Sequence, residues 1–275
     1  MRLATVTRQT VLLLIVSLYT VLAGAPVLWV AVMSLRTTSE ISANPFGAPV
    51  PAHFGKFALA WTNSHYGTYF WNSTVIVAGA VVGLTVIGAM AAHALARYRF
   101  PGNRVIYFVL FSAIIFPPQL TIISLFQVLV EYGLFNTRLG VSLVYMAIQL
   151  PLTFYILEAF FGQIPQDYFD AARIDGCSDF GVFWRLTVPI GMPAIATTII
   201  LNLIELWNEF LYAVVLVTDD EKRTLPLGIM RFMGDKMEDI GMIATGMMIA
   251  ILPVVLVYAF LSERLIRGMT ASVLK

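Results

Sequence analysis

The stretch QIPQDYFDAARIDGCSDFGVFWRLTV, residues 163–188, decides how this chain is laid out. It holds four aspartates and two arginines, yet residues 139–157 before it and 186–204 at its end carry no charged side chain. Each flanking run is close to the roughly 20 helical residues that cross a ~30 Å hydrocarbon core. A polar hairpin set between two such runs is a loop at a membrane surface.

Working outward, the other charge-free runs are 9–35, 57–96, 105–130 and 240–262. The composition agrees: 59% of the 275 residues are hydrophobic and only 12% charged, where a soluble domain has about 25% charged. The runs are continuously apolar and do not alternate, which favours helices over a barrel. The sequence therefore predicts an all-α polytopic membrane protein, a single domain over 1–275. Its six transmembrane helices are expected near 11–33, 70–96, 105–130, 139–161, 187–217 and 240–262. Arg2, Arg8, an apolar run and Ala23-Gly24-Ala25 have the outline of a secretory signal. The run continues past Pro26 to Met33, longer than the 7–15 residues of a signal core, so an uncleaved first span is expected.

Six spans put both termini on one side. The loop 97–104 has Arg97, Arg99 and Arg104 with no acid, and by the positive-inside rule it marks the cytoplasmic face, termini included. The opposite loops, near 34–68 and 219–239, are long enough to form a docking surface. Formal net charge is +1, which offers no reason to expect a nucleic-acid partner. His53, His65, His93 and Cys177 show no ligand spacing, so no metal is expected. Pro117-Pro118 should kink or break the third span, and Pro151, Pro189, Pro193 and Pro253 fall in or at the start of others. Gly79 and Gly83 form a small-x3-small face for close helix approach, chiefly within the chain. Asn72-Ser73-Thr74 fits a glycosylation pattern but abuts the bilayer and is discounted.

Within the hairpin, Pro165 suits a first helical turn and Ala171 and Ala172 favour helix. Gly176 supplies a left-handed turn at the helix C-terminus. Ser178 can cap a second helix with Asp179 in its first turn. Phe169, Ala172, Phe180 and Phe183 offer apolar contacts; Asp170, Arg173 and Asp175 offer polar ones.

Asp170-Ala171-Ala172, Gly176 four residues on, and Leu186-Thr187-Val188-Pro189 resemble the cytoplasmic loop of ABC importer permeases, written E-A-A-x3-G-x9-I-x-L-P. Asp170 stands for Glu, Leu186 for Ile and Val188 for Leu, each keeping its chemical type. Trp207-Asn208-Glu209-Phe210-Leu211-Tyr212-Ala213 followed by Arg223-Thr224-Leu225-Pro226 is similar to carbohydrate-type permeases of the maltose class. So are Ala96-Arg97-Tyr98-Arg99-Phe100-Pro101-Gly102 and Arg267-Gly268-Met269-Thr270 with the tail. The resemblance implies the type I ABC importer permease fold. It also implies a coupling helix that inserts into a groove of a cytoplasmic ATPase, with Phe169, Asp170, Ala171, Ala172, Arg173, Asp175, Gly176 and Phe180 as coupling residues. The implied partners are a second related permease, two ATPase subunits, an extracytoplasmic solute-binding protein and the lipid bilayer. No G-x4-G-K-[ST] occurs, so no cofactor is expected on this chain; ATP and magnesium belong to the ATPase.

Polar groups at membrane depth are the candidates for a substrate path. Asn202, Glu205 and Glu209 fall on one side of a continuous helix, with Asn208 beside Glu205. Counted from Pro189, Glu205 is ~24 Å and Glu209 ~30 Å along it, in the outer half. Gln119 and Gln149 complete the set, with Ser124 and Gln127 in the same position to line a path or bond across helices. His93 is read as a packing residue. The function read from all this is ATP-driven, binding-protein-dependent import of a sugar or oligosaccharide, with no catalytic residue on the chain. Import of another solute, such as glycerol phosphate or oligopeptides, and ion-coupled carriage through Glu205 and Glu209 are the alternatives. An intramembrane enzyme has no nucleophile–base arrangement to rest on.

Overall fold

The computed structural model describes residues 2–233 and 239–271, with side chains over 9–117, 119–233 and 239–259. In chain order the helices are α1 (Arg2–Ser34), α2 (Thr38–Ala43), α3 (Gly55–Thr62), α4 (Tyr66–Arg97), α5 (Asn103–Ile115), α6 (Ile122–Glu131) and α7 (Arg138–Phe161). There follow α8 (Gln166–Ile174), α9 (Asp179–Val182), α10 (Val188–Trp207), α11 (Leu211–Leu216), α12 (Leu225–Gly228) and α13 (Ile240–Ala271). Among the described residues the regular elements are all helical. Five stretches are long and apolar enough to cross a membrane: Gln9–Ser34, Tyr66–Arg97, Arg138–Phe161, Asp179–Trp207 and Ile240–Ala259. Asn103–Ile115 and Gln119–Glu131 make a sixth as a bent pair.

That pair is the break expected at Pro117-Pro118. Residues 105–130 do not form one helix; α5 stops before Pro117-Pro118 and the chain resumes at 99° to it. Two consecutive prolines remove two backbone donors, and a 3-10 turn over Pro118–Thr121 carries the chain round the corner. The departure from the runs read in the sequence is in the fifth, 187–217. Helix α10 ends at Trp207 and α11 begins at Leu211, so Glu205 and Glu209 do not share one helix face.

Packing groups the chain into two compact units, 1–67 with 228–252 and 68–227 with 253–275. In the first, Met33, Ile41 and Ala244 form a small core with Val30 and Ile240 against it. Polar bonds stitch its connections. Lys56 Nζ donates to the carbonyls of Arg36 and Gly241, both at 2.6 Å. Thr38 Oγ1 donates to Asp239 at 2.6 Å, and Thr245 Oγ1 to the Ser34 carbonyl at 3.1 Å. Thr37 caps α2 in a reciprocal capping box with Glu40.

In the second unit α7 packs against α10 and α5. Glycines of α4 face α7 side chains along a further seam. A Cβ on Gly83 would sit 2.6 Å from the Met146 methyl, and one on Gly88 3.0 Å from Thr153. The Gly79-x3-Gly83 face is therefore used within the chain. At one end Ala89, Ala92, Phe154, Leu157, Phe161, Ile164, Phe169, Val182, Phe183, Ala194 and Ile195 form the main core. At the other, Asn72 Nδ2 donates to the carbonyls of Glu221 and Arg223, each at 2.8 Å. Ser73 Oγ accepts from Leu225 N–H at 2.7 Å, and Tyr69 donates to Asp220 at 2.9 Å. Asn72 is fully buried. The Asn72-Ser73-Thr74 pattern is a clamp on the 220–225 loop.

Candidate functional site

The hairpin over 163–188 is two helices joined by a bend. Pro165 is the N-cap of α8, with ψ 141°, one residue outside the first turn that its sequence suggested. Gly176 has φ +78°. Its N–H donates to the Arg173 carbonyl, and Cys177 N–H donates to Ala172, each at 3.0 Å. Together these are a Schellman motif. Ser178 Oγ accepts from Gly181 N–H at 3.2 Å and starts α9. From Phe183 to Thr187 the chain is π-helical, Val188 N–H reaching back to the Phe183 carbonyl, before α10 begins.

Helix α8 has two apolar rows. Phe169 and Ala172 face the chain's own core, Phe169 only 3% exposed. Arg97 lies over the Phe169 ring, its guanidinium carbon 4.1 Å from the centroid. Its Nη2 donates to the carbonyls of Phe161 and, at 2.7 Å, Ile164. One side chain thus joins the ends of α4 and α7 to α8. Beside it, buried His93 Nδ1 and Thr187 Oγ1 share a hydrogen bond of 3.0 Å. Tyr98, Phe169 and Phe183 surround the imidazole with centroids at 5.4–6.2 Å.

The second row, Tyr168, Ala171 and Ile174, points outward, Ile174 at 86% exposure. Beyond the bend, Phe180, 64% exposed, and Trp184, 45% exposed, present further apolar surface, their ring centroids 6.1 Å apart. Asp170, Arg173 and Asp175 are exposed. Arg173 bridges Asp170 at 4.0 Å and Asp179 at 3.7 Å, and Tyr98 donates to Asp179 at 2.9 Å. Burial, then its bond to Asp179, raises the Tyr98 phenol above its ordinary pKa. The sequence had singled out Phe169 as a contact residue, and its ring is buried inward. It had passed over Tyr168, Ile174 and Trp184, although a three-residue spacing of apolar side chains on α8 was there to be read.

The polar groups of the spans are dispersed. Asn202, 3% exposed, donates to Thr153 Oγ1 at 2.8 Å and ties α10 to α7. Glu205 is exposed on α10, and Asn208 is its C-cap, donating to the Ile204 carbonyl at 2.7 Å. Glu209 stands in the break. Its carboxylate accepts from Tyr212 N–H at 2.7 Å, Ala213 N–H at 3.2 Å and Tyr145 O–H at 2.8 Å. These bonds satisfy the donors that open when a spanning helix is interrupted. Gln119 is exposed in the 3-10 turn and Gln149 half-buried on α7. A recess of about 380 Å³ lies in the α5–α6 bend, lined by Ser112, Phe116, Pro117, Thr121, Ala147 and Pro151 among others. The structure brings Asn202 and Glu209 to α7 and leaves Glu205, Asn208 and Gln119 exposed. The tail motif, residues 267–275, falls outside the described side chains. No cluster of metal-binding side chains occurs among the described residues.

The profile of the family described as "Binding-protein-dependent transport system inner membrane component" matches residues 84–271, which contain the hairpin. The chain is 38% identical over 250 residues to the diacetylchitobiose uptake system permease protein NgcG of Streptomyces coelicolor, covering 90% of this chain and 83% of that one. It is 32% identical over 252 residues to the trehalose transport system permease protein SugB of Mycobacterium tuberculosis, covering 91% and 92%. In structure it matches a chain of a bacterial ABC transporter that imports the acidic polysaccharide alginate. The TM-score is 0.82 over 94% of this chain and 97% of that one, at 21% identity, which is a likeness of fold. The profile match and the identity to named permeases over most of the length lead to one conclusion: the chain belongs to the binding-protein-dependent transport system inner membrane component family.

Proposed function

We propose that this chain is the permease subunit of an ATP-driven importer for an oligosaccharide, and that α8–α9 is the segment through which a separate ATPase drives it. One observation carries the reading: α8 has an outward apolar row, Tyr168, Ala171 and Ile174, beyond the row it needs for its own packing. A surface helix that only rests on its bundle needs one apolar stripe. A second, with Phe180 and Trp184 beyond the bend, is suited to a partner's groove.

The mechanical requirement is that a push on α8 reach the spans. Arg97 joins α8 to α4 and α7, and the π-helix leads from α9 directly into α10. Coupling is then a choice between two packings of the spans, biased by the ATPase on one side and by a loaded binding protein on the other. In this reading both termini and the 97–104 loop are cytoplasmic, and ATP and magnesium stay on the ATPase. A second permease completes the path, and the binding protein docks on the opposite loops. An oligosaccharide is the proposed cargo because NgcG and SugB are named for diacetylchitobiose and trehalose. The engagement of the Glu209 carboxylate by two amides and a phenol argues against its use as a mobile proton site, and so against ion-coupled carriage.

The test is reconstitution of this chain with a cognate second permease, ATPase and binding protein. ATP-dependent uptake of labelled di- and oligosaccharides is expected, absent when the binding protein is omitted. Ile174→Asp is expected to abolish co-purification of the ATPase while the permease still inserts. Uptake that persists without the ATPase would overturn the proposal.

A further inference from the structure

The loop between α4 and α5 folds around a recess whose exposed arginines, Arg99 and Arg104, the transport reading does not use. It measures about 770 Å³ and is lined by Arg97, Arg99, Arg104, Asn103, Phe100 and Gln166 among others. Among the described residues, no carboxylate lines it. The loop is held in shape from within: Asn103 Nδ2 donates to the carbonyls of Leu95 at 3.2 Å and Tyr98 at 2.7 Å, and Gly102 turns the chain at φ +91°. Arg99 and Arg104 are exposed and form no ion pair among the described residues. The Arg97 Nε is buried, with no hydrogen-bond partner among them. Nearby Asp179 is already held by Tyr98 and Arg173.

What borders the recess indicates its ligand. Arg104 sits on the first turn of α5, its guanidinium carbon 5.7 Å from the Phe108 ring centroid. Val105, Phe108 and Val109 follow, all more than half exposed. A cationic recess that runs directly into an apolar helix face has the two-part chemistry of a phospholipid, headgroup against arginine and acyl chains against α5. A soluble anion would use only the first part. Guanidinium groups grip phosphate oxygens through paired N–H bonds, and basic pockets at the ends of spans are suited to anionic headgroups.

The geometry points to a binding site for an anionic phospholipid, its phosphate held by Arg99 and Arg104 in a recess floored by Arg97. The site requires that the loop lie at a membrane face; it does not require the ATPase or any cargo.

The experiment uses the purified full chain, delipidated in detergent. Retention of dioleoylphosphatidylglycerol and dioleoylphosphatidylcholine is read by native mass spectrometry, with inorganic phosphate as a competitor. The native chain is expected to prefer phosphatidylglycerol. R99Q/R104Q should lose roughly thirtyfold of that preference, the size set by two arginines at a charged surface. R138Q, whose arginine starts α7, should keep it, and R99K/R104K should keep part of it, since charge remains and the planar fork does not. Inorganic phosphate should not displace the lipid. Equal retention of the two lipids, or unchanged preference in R99Q/R104Q, would overturn the assignment and leave the arginines as topology signals. Displacement by phosphate alone would make the recess a free-anion site, and ATPase capture lost in R99Q/R104Q with lipid preference intact would make it a protein contact. Because lipid retention is read without ATPase or transport, its failure is distinguishable from failure of the coupling proposal.

Discussion

His93 Nδ1 and Thr187 Oγ1 meet at 3.0 Å in a buried pocket, joining α4 to the π-helix that leads into α10. His93 Nε2 has no hydrogen-bond partner among the described residues, so this one bond serves the whole ring. Thr187→Val keeps the side-chain shape and removes the hydroxyl. Leaving a buried polar group unpaired costs about 1–3 kcal/mol. A lower thermal midpoint in detergent is expected, with Thr187→Ser recovering most of it; an unchanged midpoint for Thr187→Val would show that the bond carries no stability.

Gly176 separates conformation from space. No heavy atom lies within 4 Å of where its Cβ would stand, yet its φ is +78°. Gly176→Val should therefore act through the backbone alone, at about 1–2 kcal/mol for a left-handed non-glycine residue. Lost ATPase capture and lost transport, with normal membrane insertion, are expected. Gly176→Asn should retain both in larger part. Co-purification and uptake assays on the two variants decide between a shape requirement and a mere absence of bulk.

At Glu209 the carboxylate offers two oxygens to three donors. Glu209→Gln keeps one acceptor oxygen and adds donors where none are wanted. Destabilisation of about 1–3 kcal/mol is expected. It should concentrate where the helix is broken, read as faster hydrogen exchange at the amides of Tyr212 and Ala213. Uniform exchange throughout α10 and α11 would show that the break holds without its carboxylate.

The acid side of the stability profile should report Glu40. Its pKa is lowered first by the backbone N–H of Thr37, at 2.8 Å, and then by its bond to His53, at 3.2 Å. A carboxylate with a depressed folded-state pKa stabilises above its unfolded value, near 4.5, and the contribution is lost as pH falls through the lower folded value. The native chain should therefore exceed Glu40→Gln in thermal midpoint at neutral pH, and the gap should narrow as pH falls below the unfolded value, near 4.5. A gap that does not vary with pH would assign the effect to packing.

Most of the hairpin was legible because local rules write it. A glycine at the left-handed position and a serine at an N-cap act on their immediate neighbours, and Gly176 and Ser178 do so here. The division of the chain into apolar stretches was legible from charge alone. The interruption after Trp207 was not. It depends on a carboxylate engaging amides ahead of it and the phenol of Tyr145 on another span, and nothing in the local run of apolar residues announces that. Arg97 read as a topology signal, while its guanidinium lies over Phe169. Asn72-Ser73 drew notice only as a modification pattern, which was discounted; its role as a clamp was not legible, because its partners, 149–152 residues away, are visible only in the fold.

The π-helix between Phe183 and Thr187 has a consequence for how the hairpin is aimed. Its wider turn holds a surplus residue relative to an α-helix. Removing one residue there would swing everything on the N-terminal side by about 100° and draw it in by about 1.5 Å. The direction in which α8 presents its outer edge is thus a matter of register, fixed by how many residues stand between it and α10 more than by which ones.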